Sequence, residues 1–375
     1  MPWMFSALLL GFVLSMFNFF SDPIKSESFQ LLSTLGMFIL LFLIGFNLDL
    51  GKIKRLGKYV LLGTICIIAF EGFFGSLLLY FAFPSHVSHS YIIALITALS
   101  FATVGEAILV PILAEFSVVT TTFGQLTLGI GTFDDIIEVL VLLAMMAFLP
   151  TLLPQPQNYH LPDTVAALSM LAFMVLLASV MVKAGSRLRH FLDKHLNKAY
   201  KTSTCQLLIL FLFSFFIAMG GFFFESLATV GAILSGIVAR QLLPKELFSQ
   251  NEKAINFLGY VCLSPFFFLS VGSNVSLGSL FSYWLMIVSI CVIATGTKLF
   301  ASYMVFQKLL QTKYSLLLGL GLSIRFSTSL IVQYILLDSG VISLDLYSAL
   351  VLTALLLTPL ISGIYSWFLS SEKPP

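Results

Sequence analysis

The chain has 375 residues, of which 59% are hydrophobic and only 10% are charged, and its mean hydropathy is +1.03. A soluble protein of this length could not keep that much apolar surface out of water, so the composition excludes a soluble globular domain and indicates a protein embedded in a lipid bilayer. The formal net charge of +2 and the lack of a basic tract argue against a nucleic-acid partner. The four cysteines show no CxxC spacing, so we expect neither a disulfide nor a zinc site.

Twelve apolar runs follow one another along the chain, and each is long enough to cross a bilayer core of roughly 30 Å. The first run has no positive n-region and no small-residue cleavage site, so we expect a retained span rather than a signal peptide. The sequence therefore predicts an all-α polytopic membrane protein. The predicted spans cover residues 3–20, 29–48, 58–82, 91–114, 123–149, 164–183, 204–222, 226–243, 256–275, 280–306, 314–337 and 343–369.

The basic residues between these spans predict the orientation of the chain. With the N-terminus in the cytoplasm, the inward loops and the C-terminal tail contain sixteen of the 19 lysine and arginine residues, and the outward loops contain only Lys25. Such an asymmetry favours both termini on the cytoplasmic side. The inward residues are Lys52, Lys54, Arg55, Lys58, Lys183, Arg187, Arg189, Lys194, Lys198, Lys201, Arg240, Lys245, Lys253, Lys308, Lys313 and Lys373.

Seven charged residues lie deep inside the predicted spans, where a charge is costly and usually functional. The acidic ones fall in spans three to five and the basic ones in spans ten and eleven. Because a charge in hydrocarbon must be paired or face a watery cavity, we infer that spans three to five pack against spans ten to twelve. The seven residues are Glu71, Glu106, Asp134, Asp135, Glu138, Lys298 and Arg325.

Spans three to five and ten to twelve run in opposite directions, which is typical of inverted-repeat transporters with sites at broken helices. Span four carries ALSFATVGEAILV and span eleven carries GLGLSIRFSTSLIV, and in each a Leu-Ser pair precedes a polar, small-residue patch. Gly105 and Pro111 weaken the helix of span four. The alternative is that the small residues only let helices pack closely.

Several segments together resemble the monovalent cation:proton antiporter-2 family, whose members include bacterial Na⁺/H⁺ exchangers. LGMFILLFLIGFNLDLGKIKRLGKY resembles its second-span signature, and GIGTFDDIIEVLVL resembles its double-aspartate helix. GAILSGIVARQLLP and LSPFFFLSVGSNVSL resemble its eighth and ninth spans. Lys298, in ATGTKLF, lies where electrogenic members carry a lysine in span ten. The resemblance covers nearly the whole chain and implies a sodium/proton antiporter-like fold with broken, crossing helices.

The resemblance also implies roles for individual residues. Asp135 would be the main cation ligand and proton carrier, and Asp134 would pair with Lys298 until the cation arrives. Thr103 occupies the usual polar position of the crossing region and joins the binding set. For Lys298 a bracing role is the alternative. No cofactor is expected beyond the transported Na⁺, or another monovalent cation, and protons.

Some residues depart from the family pattern. Span eleven reads SIRFSTS where many relatives have a Pro-Arg-Gly-Glu-like stretch, and Glu138 lies where small residues are common. Glu106, Glu138 and Arg325 are candidate accessory residues. For Glu106 and Glu71 we expect structural pairing, in the case of Glu106 with Arg325, and for Glu138 the alternative is a satisfied polar residue between helices. Because the sequence ends at Pro375, we expect no cytosolic regulatory domain of the kind that gated potassium efflux members carry.

The chemistry of the aspartate pair explains how exchange could follow. Two adjacent carboxylates in a low-dielectric interior cannot both ionise cheaply, so the pair is stable either protonated or compensated by positive charge. Sodium prefers oxygen ligands such as carboxylates. If protons and Na⁺ compete for one site that crosses the membrane poorly when empty, the result is antiport.

This interpretation predicts the division of the chain. Residues 58–149 and 280–370 would form a transport core, and residues 1–57 and 161–279 a scaffold that forms a homodimer. We expect a transporter of the inner cell membrane, not an enzyme, that serves pH homeostasis by electrogenic exchange of Na⁺ for protons. Its partners would be the lipid bilayer, monovalent cations and protons.

Three other functions are compatible with buried acids. A K⁺/H⁺ exchanger of the same family is the closest, because residue types do not determine ion size. A sodium-coupled solute symporter would share the fold but has little need of an aspartate pair with a lysine. An intramembrane aspartyl protease needs two aspartates on different helices, whereas Asp134 and Asp135 share one helix.

The charge asymmetry makes a topological prediction. We expect a reporter fused within the loop 183–203, which holds six basic residues, to be cytoplasmic, and one fused within the basic-free loop 150–163 to be external. Paired alkaline phosphatase and fluorescent-protein fusions measure this. An external location for the loop 183–203 would contradict the predicted topology.

Overall fold

The structure, a computed structural model, describes residues 3–16, 21–47, 57–152, 161–195, 198–223, 225–242 and 252–371. All regular structure within these ranges is helical. The first half contains α1 (Trp3–Met16), α2 (Ser21–Lys25), α3 (Glu27–Asn47), α4 (Lys58–Ala82), a 3₁₀ turn (Pro84–Val87), α5 (Tyr91–Phe101), α6 (Glu106–Glu115), α7 (Thr122–Leu152) and α8 (Leu161–His195). The second half contains α9 (Lys198–Phe223), α10 (Glu225–Leu242), a π-helix (Phe257–Leu263), α11 (Ser264–Ser273), α12 (Leu277–Ser282), α13 (Trp284–Leu322), α14 (Ser327–Asp338) and α15 (Leu344–Ser371).

The described residues of every predicted span are mostly helical, so the prediction of an all-α polytopic protein is confirmed. Within the described ranges, six helical segments are long and apolar enough to cross a bilayer without interruption. They are Glu27–Asn47, Lys58–Ala82, Leu168–Gly185, Glu252–Ser273, Trp284–Leu322 and Leu344–Ser371. The other predicted spans fall on helices that are shorter, interrupted or only partly described.

Two spans are interrupted in the middle, as the inverted-repeat interpretation predicts. Span four divides into α5 and α6, with residues 102–105 non-helical between them. Span eleven divides at residues 323–326, between the end of α13 and the start of α14. The break in span four lies beside Gly105, whereas Pro111 lies within α6 and does not end it. The prediction of broken helices is confirmed, and the proline is not their immediate cause.

The deep acidic and basic helices pack against each other, which confirms the inference from their charges. Helix α4 packs along α13, where Phe70 meets Phe300 edge-on with ring centroids 5.5 Å apart. Helix α5 packs against α14, and α15 contacts both α13 and α14. These contacts bring the two interrupted spans together.

Two features differ from the predicted loops. Helix α8 continues to His195, well past residue 183, and α9 begins at Lys198, so the described part of the basic loop is helical. Lysine and arginine are good helix formers, which explains the extension beyond the apolar run. The predicted loop between spans ten and eleven is reduced to a single non-helical residue, Gln311 (φ 64°, ψ 164°), so α13 consists of two helices that meet there.

The chain divides into two compact units. The first comprises Met1–Ser21, Asp49–Val141 and Val271–Pro375, and it contains the interrupted spans and all seven deep charged residues. The second comprises Asp22–Leu48 and Leu142–Ser270. The assignment of transport and scaffold roles to parts of the chain stays a prediction.

Close helix packing in the second unit depends on glycines. In α3 and α10, Gly45 and Gly236 face the partner backbone so closely that a Cβ at Gly45 would overlap the Ile233 carbonyl oxygen, and one at Gly236 would overlap that of Phe42. Such contacts let two helix backbones approach and are a common way of packing helices in membranes.

This contact predicts a position that tolerates no side chain. We expect Gly236→Ala to destabilise the protein by about 1–3 kcal/mol, because the added methyl forces the helices apart. Gly363→Ala in α15 is the matched control, since a Cβ there would meet no atom within 4 Å. The measurement is the apparent Tm in detergent. Equal Tm values for the two variants would contradict the prediction.

Candidate functional site

The two interrupted spans meet at their breaks and satisfy each other's backbone. The Gly105 N–H donates a hydrogen bond to the Ile324 carbonyl over 2.7 Å. A Cβ at Gly105 would lie 3.2 Å from that oxygen, so glycine favours this close approach. The Ser329 hydroxyl, in α14, donates to the Ser100 carbonyl of α5 at 2.7 Å. Non-helical backbone at membrane depth needs such partners, because no water is there to supply them.

Asp134 lies beside the first break. It is carried by α7 and is only 2% exposed. Its Oδ2 accepts a hydrogen bond from the Val104 N–H, over 2.7 Å. This N–H belongs to the non-helical residues just before α6, where backbone donors are left without helical acceptors. A carboxylate at this position also complements the positive end of the α6 dipole. Asp134 therefore stabilises the break.

Lys298 lies on the other side of the crossing and is completely buried. Its Nζ donates to the Thr103 carbonyl at 2.7 Å and to the Leu322 carbonyl at 2.9 Å. These carbonyls lie at the C-terminal ends of α5 and α13, where a cation is favoured. Asp134 is close enough to interact with it electrostatically. One ammonium group thus joins both interrupted spans.

Glu71 provides a partner for Arg325 that differs from the predicted one. Glu71, in α4, is fully buried, and its Oε1 lies 2.6 Å from Nη2 of Arg325. Its Oε2 lies 3.5 Å from the Lys298 Nζ. The predicted partner of Arg325 was Glu106, whose side chain lies outside the described residues. The sequence contains a signal for a basic partner, because Glu71 is the one acid of span three and the opposing spans ten and eleven contain two deep bases.

Glu138 lies one turn along α7 from Asp134 and is also buried, with 6% of the residue exposed. Asp134 and Lys298 interact with it electrostatically, and the Thr328 side chain lies near it without a well-formed hydrogen bond. Within the described part of the chain, neither of its carboxylate oxygens has a hydrogen-bond partner of acceptable geometry. A buried carboxylate without such partners is costly unless it binds a proton or a cation. The arrangement fits the accessory role predicted for Glu138, which remains untested.

The remaining predicted residues are only partly described. Thr103 is buried and contacts Lys298, but through its backbone carbonyl rather than its hydroxyl. The side chain of Asp135 lies outside the described residues, although its backbone follows Asp134 in α7. Its role as main cation ligand therefore stays a prediction. So does the exchange of partners between Asp134 and Lys298.

This site provides oxygen ligands and a mobile positive charge in one water-poor place. Carboxylates suit hard monovalent cations and protons alike, and both compete for the same negative charge. The buried Lys298 ammonium is a third positive charge that can compensate the carboxylates. Unlike the cation and the proton, it stays in the protein. The crossing of two interrupted helices provides a rigid frame around these groups. Such an arrangement is suited to binding and exchange of small cations.

Comparison with known proteins agrees with this chemistry. The family model of the transmembrane sodium/hydrogen exchanger matches residues 1–370. A Na⁺/H⁺ antiporter of Enterococcus hirae is 29% identical over 345 residues, which cover 90% of this chain and 84% of that protein. The Na⁺/H⁺-K⁺ antiporter GerN of Bacillus cereus is 25% identical over 341 residues, which cover 89% of this chain and 81% of GerN.

A solved structure supports the fold. The sodium proton antiporter NhaP1 of Methanocaldococcus jannaschii superposes with a TM-score of 0.58, and the alignment covers 99% of this chain and 92% of that one. The sequences are only 16% identical, so this likeness concerns the fold alone. With a family model that matches nearly its whole length, this chain belongs to the sodium/hydrogen exchanger family of monovalent cation:proton antiporters and is a multi-pass integral membrane protein.

Proposed function

We propose that this protein exchanges Na⁺ for protons and that the exchange takes place at Asp134 and Asp135. The observation that carries the proposal is the burial of the Asp134 carboxylate and the Lys298 ammonium at the crossing of two interrupted spans. Charges at this depth are rarely structural alone. The sodium proton exchange named for the relatives from Enterococcus hirae and Bacillus cereus supports the choice of cargo.

In the proposed mechanism, Asp135 binds either a proton or Na⁺. Asp134 shares the cation, and Thr103 completes the oxygen ligands. With Na⁺ absent, the Lys298 ammonium provides the counter-charge for Asp134. When Na⁺ enters, it replaces both the proton of Asp135 and the ammonium contact. A site that is stable only when loaded crosses the membrane with one cargo or the other, which makes the exchange obligatory.

The name of one relative supports a second candidate cation. GerN is named as a Na⁺/H⁺-K⁺ antiporter, so K⁺/H⁺ exchange is the second candidate. Fluxes of Na⁺, Li⁺ and K⁺ through the purified protein in liposomes distinguish the two. Exchange of K⁺ at rates equal to those of Na⁺ would favour the second candidate.

We further propose that the protein works in the inner cell membrane with both termini in the cytoplasm, as a homodimer without enzymatic activity. The distribution of lysine and arginine between loops supports this orientation. Exchange of internal Na⁺ for external protons acidifies the cytoplasm, and this connects the protein to pH homeostasis. The membrane-facing surface is apolar and includes Phe81 and Phe222, which are largely exposed.

The first prediction concerns the proposed proton carrier. We expect Asp135→Asn to abolish sodium-dependent proton flux in proteoliposomes, because an amide can neither release a proton at this position nor provide a negative ligand. Asp345→Asn, the same change at the start of α15, is the control and should retain flux. Size-exclusion chromatography in detergent verifies that both variants fold. Normal proton-coupled sodium flux in Asp135→Asn would exclude Asp135 as the carrier.

The second prediction concerns membrane potential. If the Asp134–Lys298 pair adds a titrating step to that of Asp135, more than one proton moves per Na⁺. One net charge moved through 100 mV is worth about 2.3 kcal/mol. At about 1.4 kcal/mol per tenfold, this is a roughly fortyfold change in the equilibrium gradient. We therefore expect an inside-negative potential to accelerate sodium extrusion.

The experiment uses liposomes whose potential is clamped with K⁺ and valinomycin. The sodium gradient at which net flux reverses should shift with the imposed voltage. A reversal point that does not depend on voltage would show one-for-one exchange and would leave Lys298 with a bracing role.

A further inference from the structure

Glu71 is a deep carboxylate to which the proposed exchange gives no task. It lies in the middle of α4, an uninterrupted helix, and is completely buried. Its two oxygens contact different cations: Oε1 contacts Arg325 at 2.6 Å and Oε2 contacts Lys298 at 3.5 Å. Its Oε2 has no hydrogen-bond partner among the described residues. The carboxylate is thus shared unequally between a close guanidinium and a more distant ammonium.

The Lys298 ammonium is correspondingly divided between two carboxylates. Two of its three N–H donors are directed at the Thr103 and Leu322 carbonyls. The group is attracted by Glu71, at 3.5 Å, and also by the charge of Asp134. At 3.5 Å, Lys298 and Glu71 form an ion pair without a short hydrogen bond. The relative strength of the two attractions on Lys298 can therefore change without a change of its rotamer.

We propose that Glu71 is a positioning residue that restrains Lys298 and thereby determines how strongly the ammonium competes with Na⁺ for Asp134. The inference rests on the proposed function, in which Asp134 binds the cation. In a low-dielectric interior the pull of one carboxylate on a shared ammonium is substantial. Glu71 weakens the hold of Lys298 on Asp134 and so favours the entry of Na⁺. It also gives Lys298 a counter-charge while Na⁺ occupies the site.

Arg325 sets the strength of this restraint. It lies in the break of span eleven, where its carbonyl accepts a hydrogen bond from the Thr358 hydroxyl at 2.8 Å. Its guanidinium lies 5.2 Å from the centre of the Phe101 ring, and it is 2% exposed. These contacts fix the guanidinium against Glu71. The carboxylate is therefore held in place and cannot follow the ammonium toward Asp134.

The test measures sodium affinity. We expect Glu71→Gln to raise the apparent Kd for Na⁺ roughly tenfold, which corresponds to about 1.4 kcal/mol. Without the charge of Glu71, Lys298 is repelled by Arg325 and attracted to Asp134. Affinity is read from the increase of Tm with sodium concentration in detergent, so that the readout does not require turnover. Thr64→Val is the control, because Thr64 is buried in the same helix and bonds only its own backbone, at Val60.

A second pair of variants separates this proposal from a general loss of negative charge. In a Lys298→Gln background, Glu71→Gln should leave the Kd for Na⁺ unchanged, because the restrained group is gone. A field effect of Glu71 acting directly on Na⁺ would persist there. An equal increase of Kd with and without Lys298 would therefore overturn the proposal.

Glu71→Asp keeps the experiment decisive if Glu71→Gln does not fold. It retains the charge but withdraws the carboxylate by one methylene, so we expect a smaller increase of Kd that also disappears in Lys298→Gln. An unchanged Kd in both Glu71 variants, in a protein that binds and transports Na⁺, would refute the role of Glu71 alone. Failure of the unsubstituted protein to respond to Na⁺ in either assay would instead refute the proposed function.

Discussion

The constraint on which this structure depends is that no backbone N–H or C=O can be left without a partner in the middle of a bilayer. Two spans nevertheless break there, at residues 102–105 and 323–326. The freed groups find partners in each other, as between Gly105 and Ile324, and in charged side chains from other helices. Each unsatisfied group would cost several kcal/mol, so neither break is stable without the crossing. The deep charged side chains therefore stabilise the fold, in addition to any role in ion exchange.

This dual use explains why the site can hold charge at all. Asp134 accepts from a backbone N–H and Lys298 donates to two backbone carbonyls, so each charge faces the helix end of complementary polarity. A group that gives up such a contact to bind a cation loses part of its structural role at the same moment. Binding at this site is therefore coupled to the backbone of the crossing, where transporters with broken helices have their substrate and ion sites.

Much of this architecture could be predicted from the sequence. Apolar runs define the spans, and the separation of deep acids from deep bases correctly pairs α4 and α5 with α13 and α14. A basic partner for Glu71, the one acid of span three, could be predicted from the sequence, but span periodicity does not say that Arg325 rather than Lys298 makes the close contact. The backbone contacts of Lys298 were equally out of reach, since a sequence does not show which carbonyls a break sets free. The role of Asp135 stays a prediction from resemblance.

The kink at Gln311 has a mechanical consequence. The positive φ of Gln311 reverses the direction of the chain. The two backbones then lie so close that a Cβ at Gly319 would be 2.8 Å from the Lys298 carbonyl oxygen. The two segments of α13 therefore form a hairpin with closely packed backbones. Lys298 lies on the first segment of this hairpin, and Arg325 follows directly after the second. Both cationic partners of Glu71 therefore belong to the hairpin. A displacement of this hairpin along α4 would therefore strain both ion pairs together.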